Sequence, residues 1–177
     1  MRFVHKAWRF LLMLISSCVI LQACAATEKP TAEMRIGMHY DAVLHFVMEY
    51  PLAWEKDRRV AYGNREGEVR WTHPDHPATL LMVKSSLQTH SALNAETRIE
   101  QALQEYPGLE ILAKEVITLP AGEAWHVSGQ TAQGHLDLYL LVHGGHRYLI
   151  SFTAAPEDFD DYQDILERVI DSFQIMP

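Results

Sequence analysis

Residues 124–153 read AWHVSGQTAQGHLDLYLLVHGGHRYLISFT and contain three short segments rich in apolar, β-branched and aromatic residues. This composition predicts strands over 124–130, 135–143 and 147–153. The dipeptides Gln133-Gly134 and Gly144-Gly145 separate the segments, and glycine suits the tight turns that join antiparallel strands. The stretch therefore predicts two consecutive antiparallel hairpins, around which the rest of the fold is arranged.

Alternate residues of the predicted strand 135–143 differ in character, because side chains along a strand point to opposite faces. One face carries leucines and a valine, and the other carries His135, Asp137 and Tyr139. Pairing across the Gln133-Gly134 turn adds His126 and Ser128 to this second face. We interpret His126, His135, Asp137 and Tyr139 as candidate ligand-binding residues. The alternative is the ordinary solvent-facing side of an antiparallel sheet.

Further strands and two helices are predicted on either side of the hairpins. Alternation predicts a strand around residues 46–50, another over 109–119, and an apolar strand over 79–86 that we expect in the middle of the sheet. A mid-sequence helix is predicted from Asn94 to Tyr106, where Pro107-Gly108 ends it. A C-terminal helix is predicted after Pro156. Its apolar stripe consists of Phe159, Tyr162, Leu166, Val169, Ile170 and Phe173. The pattern predicts an α+β domain with an antiparallel sheet.

The N-terminus has the features of a bacterial lipoprotein signal peptide. Three basic residues precede an apolar run, which ends in Leu21-Gln22-Ala23-Cys24 and is too short to span a bilayer. This sequence resembles the lipobox, which implies acylation of Cys24 and cleavage before it. Residues 1–23 are then the signal peptide, 24–39 the lipidated cysteine and a flexible tether, and 40–177 the globular domain. The alternatives are an ordinary cleaved signal and an uncleaved anchor.

The predicted anchor also suggests a location. Ala25 follows the cysteine where inner-membrane lipoproteins carry aspartate, which resembles outer-membrane sorting in Gram-negative bacteria. We therefore expect a lipoprotein of the cell envelope that faces the periplasm from the outer membrane, with the membrane as its partner through the lipid at Cys24.

Charge and cysteine content exclude several classes of function. The signal segment carries three of the 15 Lys and Arg residues and none of the 23 Asp and Glu residues, so the mature chain has a formal net charge of −11. Nucleic acid binding is not expected, because it needs a basic surface. The only cysteines are Cys18 and Cys24, so the mature monomer has no structural disulfide and no cysteine nucleophile.

Ten histidines are many for 177 residues, and two pairs have His-x-x-His spacing. The pairs are His73 with His76 and His143 with His146. Neutral imidazoles bind divalent metals, and Asp75 could add an oxygen ligand, although loop histidines three residues apart have no fixed mutual geometry. We interpret the four histidines as candidate metal ligands, with solvated turn histidines as the alternative.

The sequence lacks three motifs that are typical of common enzyme classes. It has no Gly-x-Ser-x-Gly elbow, no glycine-rich phosphate loop and no His-Glu-x-x-His helix. Ser128, His126 and Asp137 could be drawn as a triad, but many chains of this composition offer such triples. We therefore predict neither an enzyme nor a bound cofactor.

Four short motifs in order along the chain resemble the PsbP-like superfamily, including DcrB-type bacterial lipoproteins. They are Phe46-x-Met-x-Tyr50-Pro51-x-x-Trp54, Gly122-x-Ala124, Tyr148-x-Ile150 and a closing helix that ends in Ser172-Phe173. The resemblance covers residues 40–175 and implies an α/β/α sandwich around a curved antiparallel sheet.

That resemblance also suggests the kind of function. Family members are mostly non-enzymatic assembly factors and protein-binding modules, so a lipid-anchored binding or assembly module with a protein partner is expected. The alternative function is a lipoprotein that binds a small ligand or a divalent metal through its histidine-rich surface.

Overall fold

The computed structural model describes residues 34–61, 65–88 and 95–177. The predicted signal peptide, Cys24, the tether up to residue 33 and the expected helix start at Asn94 lie outside the described residues. Within these ranges the chain forms ten strands and three α-helices. None of these helices has the length and apolar character that crossing a membrane requires.

The helices and strands have the following bounds. The strands are β1 (Ile36–Asp41), β2 (Phe46–Pro51), β3 (Glu55–Ala61), β4 (Glu66–Thr72), β5 (Leu80–Leu87), β6 (Glu110–Leu119), β7 (Gly122–Thr131), β8 (Gly134–His143), β9 (His146–Ala154) and β10 (Gln174–Ile175). The helices are α1 (Ala95–Leu103), α2 (Pro156–Phe159) and α3 (Gln163–Ser172), and a 3₁₀ turn at Asp160–Tyr162 joins the last two.

Seven strands form one antiparallel sheet in the order β3-β4-β5-β9-β8-β7-β6. The β7–β8 hairpin pairs Gln130 with His135, and the β8–β9 hairpin pairs His143 with His146, so both predicted hairpins are present. The apolar strand β5 lies between β4 and β9, which confirms its interior position. A separate three-stranded sheet has the order β1-β2-β10.

The small sheet and the C-terminal helices cover one face of the large sheet, which we call the α3 face. Phe173 is fully buried there and stacks on Phe46 of β2 with ring centroids 5.6 Å apart. All six residues of the predicted C-terminal stripe belong to the same core. Each large apolar side chain buried in this way contributes about 1.5–3 kcal/mol, so this core is the main source of stability.

Helix α1 covers the opposite face, which we call the α1 face. Ile99 and Ala102, three residues apart on the helix, are fully buried against the sheet. The sheet contributes Val127, Leu138, Leu140 and Leu149 to this second core. The domain is therefore an α/β/α sandwich with one mid-sequence helix and a C-terminal helical segment, which confirms the predicted fold class.

The sheet begins earlier than the sequence indicated. Strand β1 occupies residues 36–41 and pairs with β2 from Ile36 opposite Pro51 to Asp41 opposite Phe46, so the expected boundary at residue 40 falls inside a strand. The apolar side chains of Met38 and Tyr40 are exposed, whereas the polar side chains of His39 and Asp41 are buried. This reversal of the usual alternation explains why the segment resembles a tether in sequence.

Candidate functional site

Three of the predicted ligand-binding residues meet on the α3 face of strands β7 and β8. His126 Nε2 lies 3.1 Å from Asp137 Oδ1, and His126 Nδ1 lies 3.4 Å from Glu115 Oε1 on β6. The imidazole stacks on the ring of Tyr139 with centroids 4.5 Å apart. Because a carboxylate oxygen lies near each ring nitrogen, these carboxylates stabilise the protonated form of His126.

The electrostatics of this cluster follow from its four neighbouring carboxylates. The hydrogen bond with Asp137 raises the pKa of His126 above its ordinary value, against the opposing effect of burial, and Glu115 adds to the rise. Burial raises the pKa of Tyr139, and so do Asp137 and then Glu167 and Asp171 of α3. The cluster therefore favours a protonated imidazole beside a neutral phenol.

The fourth predicted residue, His135, lies at the other end of the same face. Its Nε2 is 2.9 Å from Ser128 Oγ, and its ring stacks on Phe159 of α2 with centroids 3.8 Å apart. Ser128 thus contacts His135, whereas the imidazole beside Asp137 is that of His126. The triple of Ser128, His126 and Asp137 is consequently not aligned as a nucleophile, base and acid.

The structure brings the predicted ligand residues together but also covers them. Asp137 and Tyr139 are 8% and 9% exposed, so the face is not the open solvent side that was the alternative interpretation. The polar atoms of His126, Asp137 and Ser128 contact one another or His135 and Glu115. Ligand binding by this cluster remains a prediction.

The first histidine pair forms a compact turn beside α2. The rings of His73 and His76 have centroids 4.8 Å apart, and His73 Nδ1 accepts backbone hydrogen bonds from Asp75 and His76 at 3.1 Å. His76 Nδ1 lies 3.1 Å from Asp158 Oδ2. Burial lowers the pKa of His73, and so does His76. One ring nitrogen of each histidine is therefore already engaged.

The second pair lies on the β8–β9 hairpin. Gly144 and Gly145, with φ values of 56° and 78°, form the two-residue turn that sets His143 directly opposite His146. His143 is exposed and His146 is 8% exposed, and burial lowers the pKa of His146. Its Nδ1 is buried and has no hydrogen-bond partner among the described residues.

Neither pair is completed by further ligands. In the part of the chain that the structure describes, no group of three or more His, Cys, Asp or Glu side chains is arranged to hold a metal ion. The closest carboxylate contact of the first pair comes from Asp158 rather than the expected Asp75. Metal binding by His73, His76, His143 and His146 remains a prediction.

The two edge strands of the large sheet differ in their charge and in the apolar side chains that they expose. Edge strand β3 carries five consecutive charged residues over 55–59, and charges on an edge discourage pairing with another chain. Edge strand β6 has ten residues and exposes Ile111, Leu112 and Val116 by 46%, 55% and 50%. A bulge between Ile111 and Ala113 leaves a regular ladder from Ala113 to Leu119. This edge is therefore open to pairing.

An apolar groove adjoins this edge on the α1 face. It has a volume of about 250 Å³ and is lined by Arg98, Val116, Glu123, Ala124, Trp125, Leu140 and Val142. Lys114 lies over the Trp125 ring, 5.3 Å from its centroid. The sequence alone did not predict this surface, because it depends on which strands form the edges. The one available signal was the charge run of β3, which β6 lacks.

Comparison with known proteins gives similarity at the level of structure alone. No family model matches the sequence, and no curated protein is similar to it. The solution structure of cyanobacterial PsbP (CyanoP) from Synechocystis matches 88% of this chain and 98% of its own, with a TM-score of 0.62 and 13% identity.

Two further solved structures are similar. LpqN of Mycobacterium tuberculosis, described as involved in cell envelope biogenesis, has a TM-score of 0.51 and 13% identity over 81% of this chain and 92% of its own. A Pseudomonas aeruginosa protein described as a putative regulator has a TM-score of 0.50 and 10% identity over 81% of this chain and 99% of its own. The sandwich and these similarities together show that the chain has a PsbP-like fold.

Proposed function

We propose that this chain is a lipid-anchored protein of the cell envelope that acts as a non-catalytic binding or assembly module. The observation that carries the binding role is the contrast between the two sheet edges. Strand β3 carries a run of charged side chains, whereas β6 exposes apolar side chains beside an apolar groove. Exposed apolar side chains on an edge strand favour pairing with another chain.

The anchor is proposed from the lipobox at residues 21–24, and Ala25 favours the outer membrane with the domain in the periplasm. The described domain begins at Met34, ten residues after Cys24. Two or three acyl chains hold a protein at a membrane almost permanently. Metabolic labelling with an acyl probe should mark the wild type and not Cys24→Ala. Equal labelling of the two would exclude the anchor.

The non-catalytic role is supported by how the polar residues of the α3 face are used. His126 contacts Asp137 and Glu115, and Ser128 contacts His135, so the cluster holds no aligned nucleophile, base and acid. The envelope role is consistent with LpqN, whose description names cell envelope biogenesis. DcrB-type membership within the PsbP-like superfamily is part of the same proposal.

The binding role is tested in intact cells with a photoreactive amino acid, p-benzoylphenylalanine, placed on each sheet edge. At Val116 on β6 we expect crosslinked adducts with a specific protein. At Arg59, an exposed position on β3, we expect none. Adducts at both positions alike, or at neither, would contradict a binding role for β6.

The histidine-rich surface gives a second candidate, a divalent-metal-binding lipoprotein, because the hairpin turn sets His143 and His146 side by side. Titration of the protein with zinc, copper, manganese or calcium should show binding tighter than about 100 μM. The double variant His143→Ala/His146→Ala should abolish that binding. The variant His73→Ala/His76→Ala is the matched comparison, since His73 already accepts two backbone hydrogen bonds. Binding unchanged in both variants would remove this candidate.

A further inference from the structure

We propose that the apolar groove on the α1 face binds a small molecule with an apolar body and one anionic group, such as a carboxylate. This inference goes beyond the proposed binding role of β6, because the occupant is a small ligand and not a protein. The groove has a volume of about 250 Å³. Pockets for drug-sized ligands are larger, at about 300–1,000 Å³. The occupant is therefore no larger than a single ring or a short chain.

The walls of the groove favour an apolar body. Strand pairing sets Val116 opposite Trp125 and Trp125 opposite Leu140, so these three side chains form a row across β6, β7 and β8. Val142 lies two residues after Leu140, shares its face and is 38% exposed. A ligand that covers this row removes apolar surface from water, which stabilises the complex. The Trp125 indole also offers a flat surface on which an aromatic ring can pack.

A lysine lies beside one end of this row. Lys114 is two residues from Val116 on β6 and therefore shares the α1 face. Its Nζ lies 5.3 Å from the centroid of the Trp125 ring, which lines the groove. In the part of the chain that the structure describes, Lys114 forms no ion pair with a carboxylate. An anionic group of a bound ligand can therefore form a charge-assisted hydrogen bond with this ammonium group.

The other charged residues of the groove orient the ligand. Arg98 lines it from helix α1 and adds a second positive charge, whereas Glu123 contributes the one carboxylate of the lining. Lys114 pairs with Val127, which lies four residues along β7 from Glu123. This separation along the strand is about 13 Å. The anionic group should therefore lie toward Lys114, and the apolar body should extend toward Glu123.

Ligands of other charge are less complementary to this arrangement. A cationic ligand of the same shape would meet the like charges of Lys114 and Arg98, which outnumber the carboxylate of Glu123. A neutral ligand would cover the same apolar row but would form no ion pair with Lys114. The groove should therefore bind the anion most tightly, the neutral molecule less tightly and the cation least tightly.

The test compares three probes of nearly the same shape, namely benzoate, neutral benzamide and cationic benzamidine. The full-length protein is labelled with 5-fluorotryptophan, kept in a nonionic detergent at pH 7 and followed by fluorine NMR. Loss of one signal in Trp125→Phe identifies the Trp125 signal. We expect benzoate to shift this signal to saturation. Benzamide should bind about tenfold more weakly, since hydrogen bonds to charged groups are stronger than neutral ones, and benzamidine more weakly still.

Variants make the test specific to this groove. Lys114→Met keeps an unbranched apolar side chain but removes the charge, so it should reduce the affinity for benzoate to that for benzamide. Lys56→Met, on the opposite edge strand β3, is the matched control and should change neither affinity. Val142→Asn should weaken benzoate and benzamide by the same factor, because it removes apolar surface and leaves Lys114 in place.

Four results would each overturn the inference: no saturable shift of the Trp125 signal by benzoate, equal affinity for benzoate and benzamide, tighter binding of benzamidine, or a preference for benzoate that survives Lys114→Met. If benzoate fails to bind while Val116 crosslinks to a protein in cells, the groove is only part of the protein contact and the proposed function stands. If benzoate binds as expected and Val116 gives no crosslinks, the ligand site stands and the binding role of β6 is wrong.

Discussion

Arg58 donates two hydrogen bonds to Asp41, from Nε at 2.7 Å and from Nη2 at 2.9 Å, and this ion pair joins the small sheet to the large one. Asp41 is 2% exposed and also accepts backbone hydrogen bonds from Val43 and Leu44. Burial alone would raise the pKa of Asp41, but these hydrogen bonds outweigh it and lower the pKa to about 2.

The ion pair should make the free energy of unfolding depend on pH in the acidic range. Because the pKa of Asp41 is depressed in the folded state, its contribution is complete above pH 4 and is lost as the pH falls toward 2. The depression corresponds to about 2 kcal/mol. Asp41→Asn should therefore destabilise the protein at pH 7 by at least this amount, and the difference should shrink at pH 3. Urea unfolding at both pH values measures it. Asp57→Asn, an exposed pair with Arg59, should change the free energy of unfolding by less than about 0.5 kcal/mol.

The C-terminal helical segment should be essential for folding. Phe173→Ala removes a fully buried ring that stacks on Phe46, which should cost about 3–5 kcal/mol. Truncation at Pro156 should unfold the domain, because it removes the helices and the strand β10 that help to cover the α3 face. Thermal melting measures both effects. Deletion of residues 26–33 serves as the control, and we expect its melting temperature to stay near that of the wild type. A truncated chain that melts cooperatively at the wild-type temperature would show that the segment is peripheral.

His126 should stabilise the protein more in mild acid than in base. Its pKa is raised in the folded state, so its contribution is complete below pH 6.5 and is lost as the pH rises through the folded-state pKa. His126→Gln should therefore lower the free energy of unfolding more at pH 6 than at pH 9. Asp137→Asn should lower the pKa of His126, which an NMR titration measures. An equal effect of His126→Gln at both pH values would contradict the ion-pair geometry.

Gly134 should not tolerate a side chain. Its φ is 144°, and a Cβ there would lie 2.1 Å from the carbonyl oxygen of Ala154. Gly122 provides a matched comparison, because its φ of 124° is also positive but a Cβ added there would meet no atom within 4 Å. Gly134→Ala should cost about 2 kcal/mol more than Gly122→Ala in chemical unfolding. Similar costs would show that the backbone moves apart at Ala154 without strain.

The sequence predicts the local features of this fold, such as its hairpins, but not the contacts between residues that are distant in sequence. The hairpins from Gly122 to Ala154 follow from alternation and glycine turns, and their register placed His126 beside Asp137 and Tyr139. Strand β1 was missed because His39 and Asp41 are its buried residues. The burial of Tyr139 depends on the core that the C-terminal helices help to form, and the exposed edge of β6 depends on the pairing of β5 with β9 across the chain. Neither relationship is local in sequence.

Strand β10 and Phe173 lie far from β2 in the sequence, yet they pack on it. The pairing of β10 with β2 and the stacking of Phe173 on Phe46 therefore close a long loop of chain, and contacts between residues so distant in sequence slow folding. Until these contacts form, Phe46 and the α3 face lack part of their cover. An unfinished domain thus exposes apolar surface that another unfinished chain can bind, so aggregation during folding should begin at this face.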